Sequence, residues 1–252
     1  MKELSKRLLP APWRFRLRIL GRGVSDILSG RRFRFTTDSP QLKGSGGDFA
    51  ERITIAQPIN VSRWAENKKH NLRLAINTFQ NTAVYPGKIF SFWHHVGNPT
   101  EKAGYKMGIN IIAGKLDFAV GGGLCQLSGL LYHLALTAGL RIVERHPHSV
   151  DLYTDETRYT PLGADATTAY GYKDLRLGNN LGVPVSFRIR IAGGQLTGSL
   201  CSPSPLLRHE LDFRVRTEGA VEQVETLRKT EQGTWESVCC QSYMKSDHRE
   251  VI

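Results

Sequence analysis

The 252 residues predict an α+β fold in which a cysteine-led, buried helix packs on a mainly antiparallel sheet, behind a basic N-terminal arm. Three observations carry the prediction. Leu127, Leu131, Leu134 and Ala138 recur at helical spacing along one stripe, and Gly139 is suited to end that helix. After residue 140 the pattern changes to alternation, clearest in Val185, Phe187, Ile189 and Ile191, which is the period of a strand. Gly193-Gly194 then turns this run into a second one from Gln195, an antiparallel hairpin.

In chain order, residues 1–35 form a basic amphipathic arm, 36–48 a linker, 49–232 the main domain and 233–252 a polar, frayed tail. Residues 1–34 hold ten lysines and arginines against Glu3 and Asp26, so +8 of the net +11 lies there. Leucines, Trp13, Phe15 and isoleucines alternate with these arginines, with Pro10 and Pro12 placed to begin a helix. Such a helix can lie on an anionic bilayer, or pack on its own domain with its arginines in water. The arm has no long uninterrupted apolar run, so it is read as neither an export signal nor a membrane span. No nucleic-acid partner is expected, because the basic and aromatic residues form no reading motif and the other 218 residues carry only +3. The expected location is cytoplasmic, peripheral at the inner face of the membrane.

Within the domain, Asn60 or Ser62 caps a helix through Trp64, Leu72, Ala75, Ile76 and Phe79, with Lys68, Lys69 and Arg73 on its wet side. Tyr85-Pro86-Gly87 is a turn into a short strand or aromatic wall at residues 89–93, followed by His94 and His95, a surface or structural pair. Beyond the cysteine helix, strands are expected at 141–145, from His148 to Tyr153, at 164–170, at 174–177, at 183–191 and its hairpin partner, and around Phe213 and Val224.

The helix begins at Gly121-Gly122-Gly123-Leu124-Cys125-Gln126. Unpaired N–H groups and the positive end of the helix dipole favour a thiolate at Cys125, while three glycines allow close approach of a ligand. The bland alternative is a buried structural thiol. A cysteine at a helix start, followed in sequence by a histidine and an acid, is the layout of papain-like and transglutaminase-like thiol enzymes. Here the parts are Cys125 as nucleophile, His148 as base and Asp165 to fix the tautomer, with His146 the competing base. Backbone N–H groups near residues 123–126 and the Gln126 side chain are candidates for the oxyanion. Gly121, Gly122, Gly123, Gln126, His146 and Ser149 are the candidate binding residues. Cys201, Cys239 and Cys240 complete four cysteines expected to be reduced, and no cofactor or metal is called for. Cys125, His146 and His148 are the only residues worth weighing as zinc ligands.

Several motifs together carry a resemblance. Gly87-Lys88-Ile89-Phe90-Ser91-Phe92, the glycine-cysteine-glutamine run through Ser128, Glu144-Arg145-His146-Pro147-His148-Ser149, Gly163-Ala164-Asp165-Ala166 and Asp174-Leu175 through Asn179-Asn180 resemble the successive motifs of the VanW family over residues 50–200. The resemblance implies a link to vancomycin resistance and bacterial cell-wall metabolism, with Cys125 matching the family cysteine. It also implies a cysteine L,D-transpeptidase or peptidase acting on a peptidoglycan stem peptide or lipid-linked precursor, with His148 and Asp165 matching the His-Ser and Asp-Ala motifs. A non-catalytic accessory protein that binds wall precursors or the membrane surface is the alternative.

Overall fold

Pro10 precedes and Pro12 sits within the first turn of helix α1, Ala11–Leu28, where missing N–H groups do no harm. A computed structural model of the protein describes residues 10–37, 49–80, 82–112, 115–151, 153 and 157–245. After α1, Gly30 takes a left-handed conformation and a short 3-10 turn, Arg31–Arg34, leads to Phe35, which bridges Ile89. Thr36 follows, buried, its N–H donating to the Ile89 carbonyl at 2.9 Å, so the first residues of the expected linker are docked on the domain. Residues 38–48 lie outside the described residues.

The domain opens with β1, Ala50–Pro58, and α2, Ala65–Phe79. Next come β2, Ala83–Val84, β3, Ile89–Ser91, and the single-turn helix α3, Phe92–Val96, which Ser91 caps by accepting from the His94 N–H. A hairpin of β4, Met107–Ile112, and β5, Lys115–Val120, leads into α4, Leu124–Ala138. The second half holds β6, Arg141–Glu144, β7, Val150–Asp151, β8, Arg176–Gly178, β9, Val185–Ala192, and β10, Gln195–Ser202. It ends with β11, Leu211–Glu218, β12, Val221–Lys229, and β13, Trp235–Lys245.

The architecture is α+β with mainly antiparallel sheets. One sheet runs β1-β10-β9-β2, another β11-β12-β13-β7, a third β3-β8-β6, and β4 pairs with β5 alone. Only β13 with β7 is parallel among these strand pairs. Helix α4 lies on the first sheet with Leu127, Leu130, Leu131 and Leu134 fully covered, and each such side chain contributes about 1.5–3 kcal/mol by leaving water. The close approach depends on Gly198 in β10. A Cβ there would stand 2.9 Å from a Leu130 methyl and 3.0 Å from a Leu134 methyl. The helix ends where Gly139 turns left-handed at φ 73° and its N–H reaches back to the Leu136 carbonyl.

Two expected elements differ. Residues 164–170 form no strand; they cross the first turns of α4 as an irregular buried segment with its backbone groups taken up individually. Ser128 Oγ donates to the Ala166 carbonyl at 2.6 Å, the Thr167 N–H donates to the His146 carbonyl at 2.8 Å and Arg145 Nε donates to the Asp165 carbonyl at 2.8 Å. These bonds replace a ladder, which is why alternation misleads here. The described part of the polar stretch from Gly233, residues 233–245, is no frayed tail either. Residues 235–245 pair along the whole of β12 and then with β7, and the only deeply buried side chain among them is Tyr243. Backbone pairing sustains a strand whose side chains are mostly wet.

Candidate active site

Glycine geometry holds the start of α4 in place. Gly123, at φ 95°, is the residue before the helix, and Cys125 is the second residue within it. Gly122 presses on the hairpin: a Cβ there would stand 2.4 Å from the backbone carbonyl carbon of Gly108. Asn71 of α2 clamps the same junction, donating from Nδ2 to the carbonyls of Gly122 at 3.0 Å and Lys106 at 2.9 Å while its Oδ1 accepts from the Lys106 N–H at 2.8 Å. Gly121 and Gly122 are therefore buried packing positions, and of the three glycines only Gly123 lines the cleft. Gly122→Ala should force the hairpin and helix apart, destabilising the fold by about 1–3 kcal/mol or more, measurable by thermal unfolding.

Cys125 is half-buried at the floor of a cleft enclosing about 700 Å³, open mouth included. Its Sγ lies 3.6 Å from Thr167 Oγ1 and 3.9 Å from the Thr168 carbonyl. His148 lines the same cleft. Its Nδ1 bonds Asp165 Oδ2 at 2.7 Å and its own N–H donates to the same oxygen at 2.8 Å, so both ring and backbone are held by one carboxylate. The charged, donating Nδ1–H leaves Nε2 for the thiol. Nε2 is buried with no partner in ordinary hydrogen-bond geometry, yet thiol and imidazole each shift the other's titration. That is a loose contact of the kind that tightens when substrate binds.

The electrostatics favour an ion pair. Burial pushes the Cys125 thiol up, but the hydrogen bond and charge of His148 outweigh it and bring the thiol from 9.0 down to about 7. Burial pushes His148 down, and the Asp165 carboxylate, then the thiolate, raise it to about 10. Asp165 is itself desolvated, but His148 and Arg145 hold it well below the usual carboxylate range. Arg145 Nη2 donates to Asp165 Oδ1 at 2.9 Å and Tyr243 donates its hydroxyl to that oxygen at 2.5 Å. The lowered thiol and the raised imidazole thus favour thiolate and imidazolium together near neutral pH.

The hydrogen-bond partners on either side of Pro147 decide which histidine serves: His148 is held by Asp165 and lines the cleft, whereas His146 is held by Glu144. Glu144 and His146 bond each other, His146 Nε2 to Glu144 Oε1 at 3.0 Å, while Arg145 faces Asp165. The His146 ring is committed to Glu144 and is not among the residues that line the cleft with Cys125, so neither the competing-base reading nor its place among the binding residues is kept. Ser149 is exposed, and its carbonyl accepts from the Met244 N–H at 3.0 Å, a sheet contact and not a ligand contact. The Gln126 amide is also committed: Nε2 donates to the Pro58 carbonyl at 2.9 Å, leaving the buried acceptor Oε1 unpartnered. Gln126 therefore offers the cleft an acceptor, and the oxyanion donors are the first-turn backbone N–H groups.

Lys68 departs from its expected wet position. Its stem lies on Gly123, where a Cβ would stand 2.6 Å from Lys68 Cγ, and its amine reaches the cleft. Burial lowers the amine to about 8, against a smaller raising effect of Cys125. Sequence periodicity misses Lys68 because a long side chain on a polar helix face can still turn inward. It also misses Arg145 and Tyr243, since neither carries a local signal for contact with Asp165. Trp64, Asn60, Asn110, Tyr153 and Tyr159 complete most of the cleft wall. Among the described residues, no cluster of three or more histidines, cysteines or acids could hold a metal ion, and Cys125, Cys201, Cys239 and Cys240 are all free thiols.

Comparison with known proteins gives these observations a family. The chain is 36% identical over 137 residues to the uncharacterized protein YoaR of Bacillus subtilis (strain 168), covering 54% of this chain and 44% of that protein. It is 37% identical over 117 residues to the vancomycin B-type resistance protein VanW of Enterococcus faecalis (strain ATCC 700802 / V583), covering 46% of this chain and 42% of that one. The matched region thus spans less than half the length of either relative. No solved structure matches. The profile described as VanW like protein matches residues 67–201, more than half of the chain and the span from Lys68 through Cys125, His148 and Asp165 to β10, and the chain belongs to that family.

Proposed function

We propose that this protein is a thiol enzyme that transfers or hydrolyses acyl groups on a cell-wall peptide, through a papain-like arrangement of Cys125, His148 and Asp165. One observation carries the reading: the half-buried thiol at a helix start and the imidazole of a buried His148–Asp165 pair share one cleft and perturb each other's protonation. The thiolate attacks a peptide carbonyl, and first-turn N–H groups of α4 receive the oxyanion. As the C–N bond breaks, imidazolium gives its proton to the leaving amine and a thioester remains. His148 then takes a proton from an incoming amine, completing transfer, or from water, completing hydrolysis.

The cleft wall supports a peptide as substrate. Trp64 Nε1 and Gln126 Oε1 are a buried donor and a buried acceptor without protein partners, and both residues line the cleft. Together they match the carbonyl and N–H of a peptide unit. Lys68 supplies a cation for a substrate carboxylate, as the acidic stem peptides of peptidoglycan possess. The name of the Enterococcus relative supports a place in glycopeptide resistance, and the family resemblance supports L,D-transpeptidase chemistry.

The test is incubation with defined stem peptides, following released amine and the intact mass of the protein. A mass gain equal to an acyl-peptide fragment, absent in Cys125→Ser, is the expected result. Peptide binding with no adduct and no product, in wild type as in Cys125→Ser, would reject catalysis in favour of a precursor-binding accessory role. Lys68→Met should raise KM for carboxylate-bearing peptides by about tenfold to a hundredfold, the worth of a charged hydrogen bond, with a smaller change in kcat. Amidated peptides should feel the substitution far less.

A further inference from the structure

Helix α1 docks with the wrong face inward for an ordinary amphipathic helix. Arg22 bonds both oxygens of Glu144, at 2.9 and 2.8 Å, and Asp26 is buried against Arg176, which reaches its two oxygens at 2.6 and 2.7 Å. Phe15 rests on Tyr170 and Tyr172, and Ile19 touches Gly171. Phe15, Ile19, Arg22 and Asp26 are spaced to form one helix face, and the opposite face carries Trp13, Leu17, Leu20, Val24, Ile27 and Leu28. All six are exposed, from 47% at Val24 to 83% at Leu28. Turning this stripe to the core would break both ion pairs, one of them buried. A monomeric soluble protein rarely leaves so continuous an apolar stripe in water.

We infer that the outer face of α1 with the following turn is a docking surface for an anionic phospholipid bilayer, on which the helix lies flat. Charge complementarity selects this occupant. Arg14 and Arg16 flank the stripe, with the Arg16 guanidinium 5.7 Å from the Trp13 ring. The adjoining turn exposes Phe33 directly after Arg31 and Arg32 and before Arg34. The one acid of residues 11–34, Asp26, is buried in its ion pair, so nothing on this stretch repels lipid phosphate. A second copy of the chain would fit less well, because two such stripes would bring arginines of like charge together without acids to pair them. Trp and Arg at the edge of an apolar stripe are the side chains that settle at the headgroup level. No helix among the described residues is long and apolar enough to cross a membrane, so α1 would lie on the surface. The inference stands apart from the thiol chemistry and needs none of it.

Flotation of the full-length protein with phosphatidylglycerol-containing vesicles, against pure phosphatidylcholine vesicles, tests it. Partition onto the anionic vesicles should be at least about tenfold stronger and should fall with added salt. Leu17→Glu/Leu20→Glu should lose at least about tenfold of that partition with an unchanged unfolding temperature, since both positions are already in water. Brominated lipids should quench a part of the wild-type tryptophan emission that Trp13→Phe lacks, a readout that needs no disruptive variant. Equal binding to both vesicles, unchanged binding by the double variant, or no quenching at Trp13 would overturn the inference. So would a lipid-independent dimer that the same double variant dissolves, because the stripe would then be covered by a second copy.

Discussion

Replacing His148 with alanine is expected to raise the alkylation pKa of Cys125 from about 7 to 9 or above. Burial in the cleft pushes the thiol up, and the hydrogen bond and charge of His148 are the main effects that reverse it, ahead of the bonds to Thr168 and Thr167. Removing the imidazole leaves the burial. At neutral pH the thiolate fraction should drop by at least about fiftyfold, read as the initial rate of iodoacetamide labelling. Cys125→Ser assigns the signal among the four free cysteines. His146→Ala is the internal control and should leave the profile unchanged, because that ring bonds Glu144 and does not line the cleft. A thiol whose pH profile ignores His148 would end the enzyme reading.

Asp165→Ala should produce the largest loss of stability. The carboxylate accepts from the His148 N–H, the His148 ring, Arg145 and Tyr243, so its removal takes the carboxylate from a buried guanidinium and three other buried donors. Breaking a buried pair in this way costs about 3–5 kcal/mol, equivalent to a fall in Tm of about 10 °C for a chain of this size. The pH dependence should change with it. A carboxylate whose pKa is depressed on folding contributes stability present above its unfolded value, about 3.9, and lost as pH falls below it. Asp165 is such a group, so wild type should lose stability in acid and Asp165→Ala should lose less. His148 works in the other direction: raised to about 10, its contribution is whole below the ordinary imidazole value, about 6.5, and drains as pH rises through about 10. Urea unfolding across pH measures both limbs, and equal acid limbs in the two proteins would contradict the assignment.

What the sequence by itself determined is local and periodic. The leucine stripe and Gly139 mark the helix Leu124–Ala138, and the alternation of Val185 through Ile191 with Gly193-Gly194 marks the β9–β10 hairpin, because neighbouring side chains dictate these periods. The residue types of the site were also legible: Cys125, His148 and Asp165 stand in motifs of unusual composition. Tertiary structure alone decided the rest. Which of His146 and His148 shares the cleft with the thiol follows from the partners that hold the two rings, Glu144 for one and Asp165 for the other. That Lys68 turns into the cleft follows from the missing side chain of Gly123, far from it in sequence. Tyr243 reaches Asp165 because a polar C-terminal strand is held by its backbone, which leaves no hydrophobic period to read. The arm shows the limit most plainly: its amphipathic pattern is evident in the sequence, but ion pairs with Glu144 and Arg176 reverse the face expected to turn inward. Period reports which residues share a face; only the partners brought from elsewhere in the chain decide where that face points.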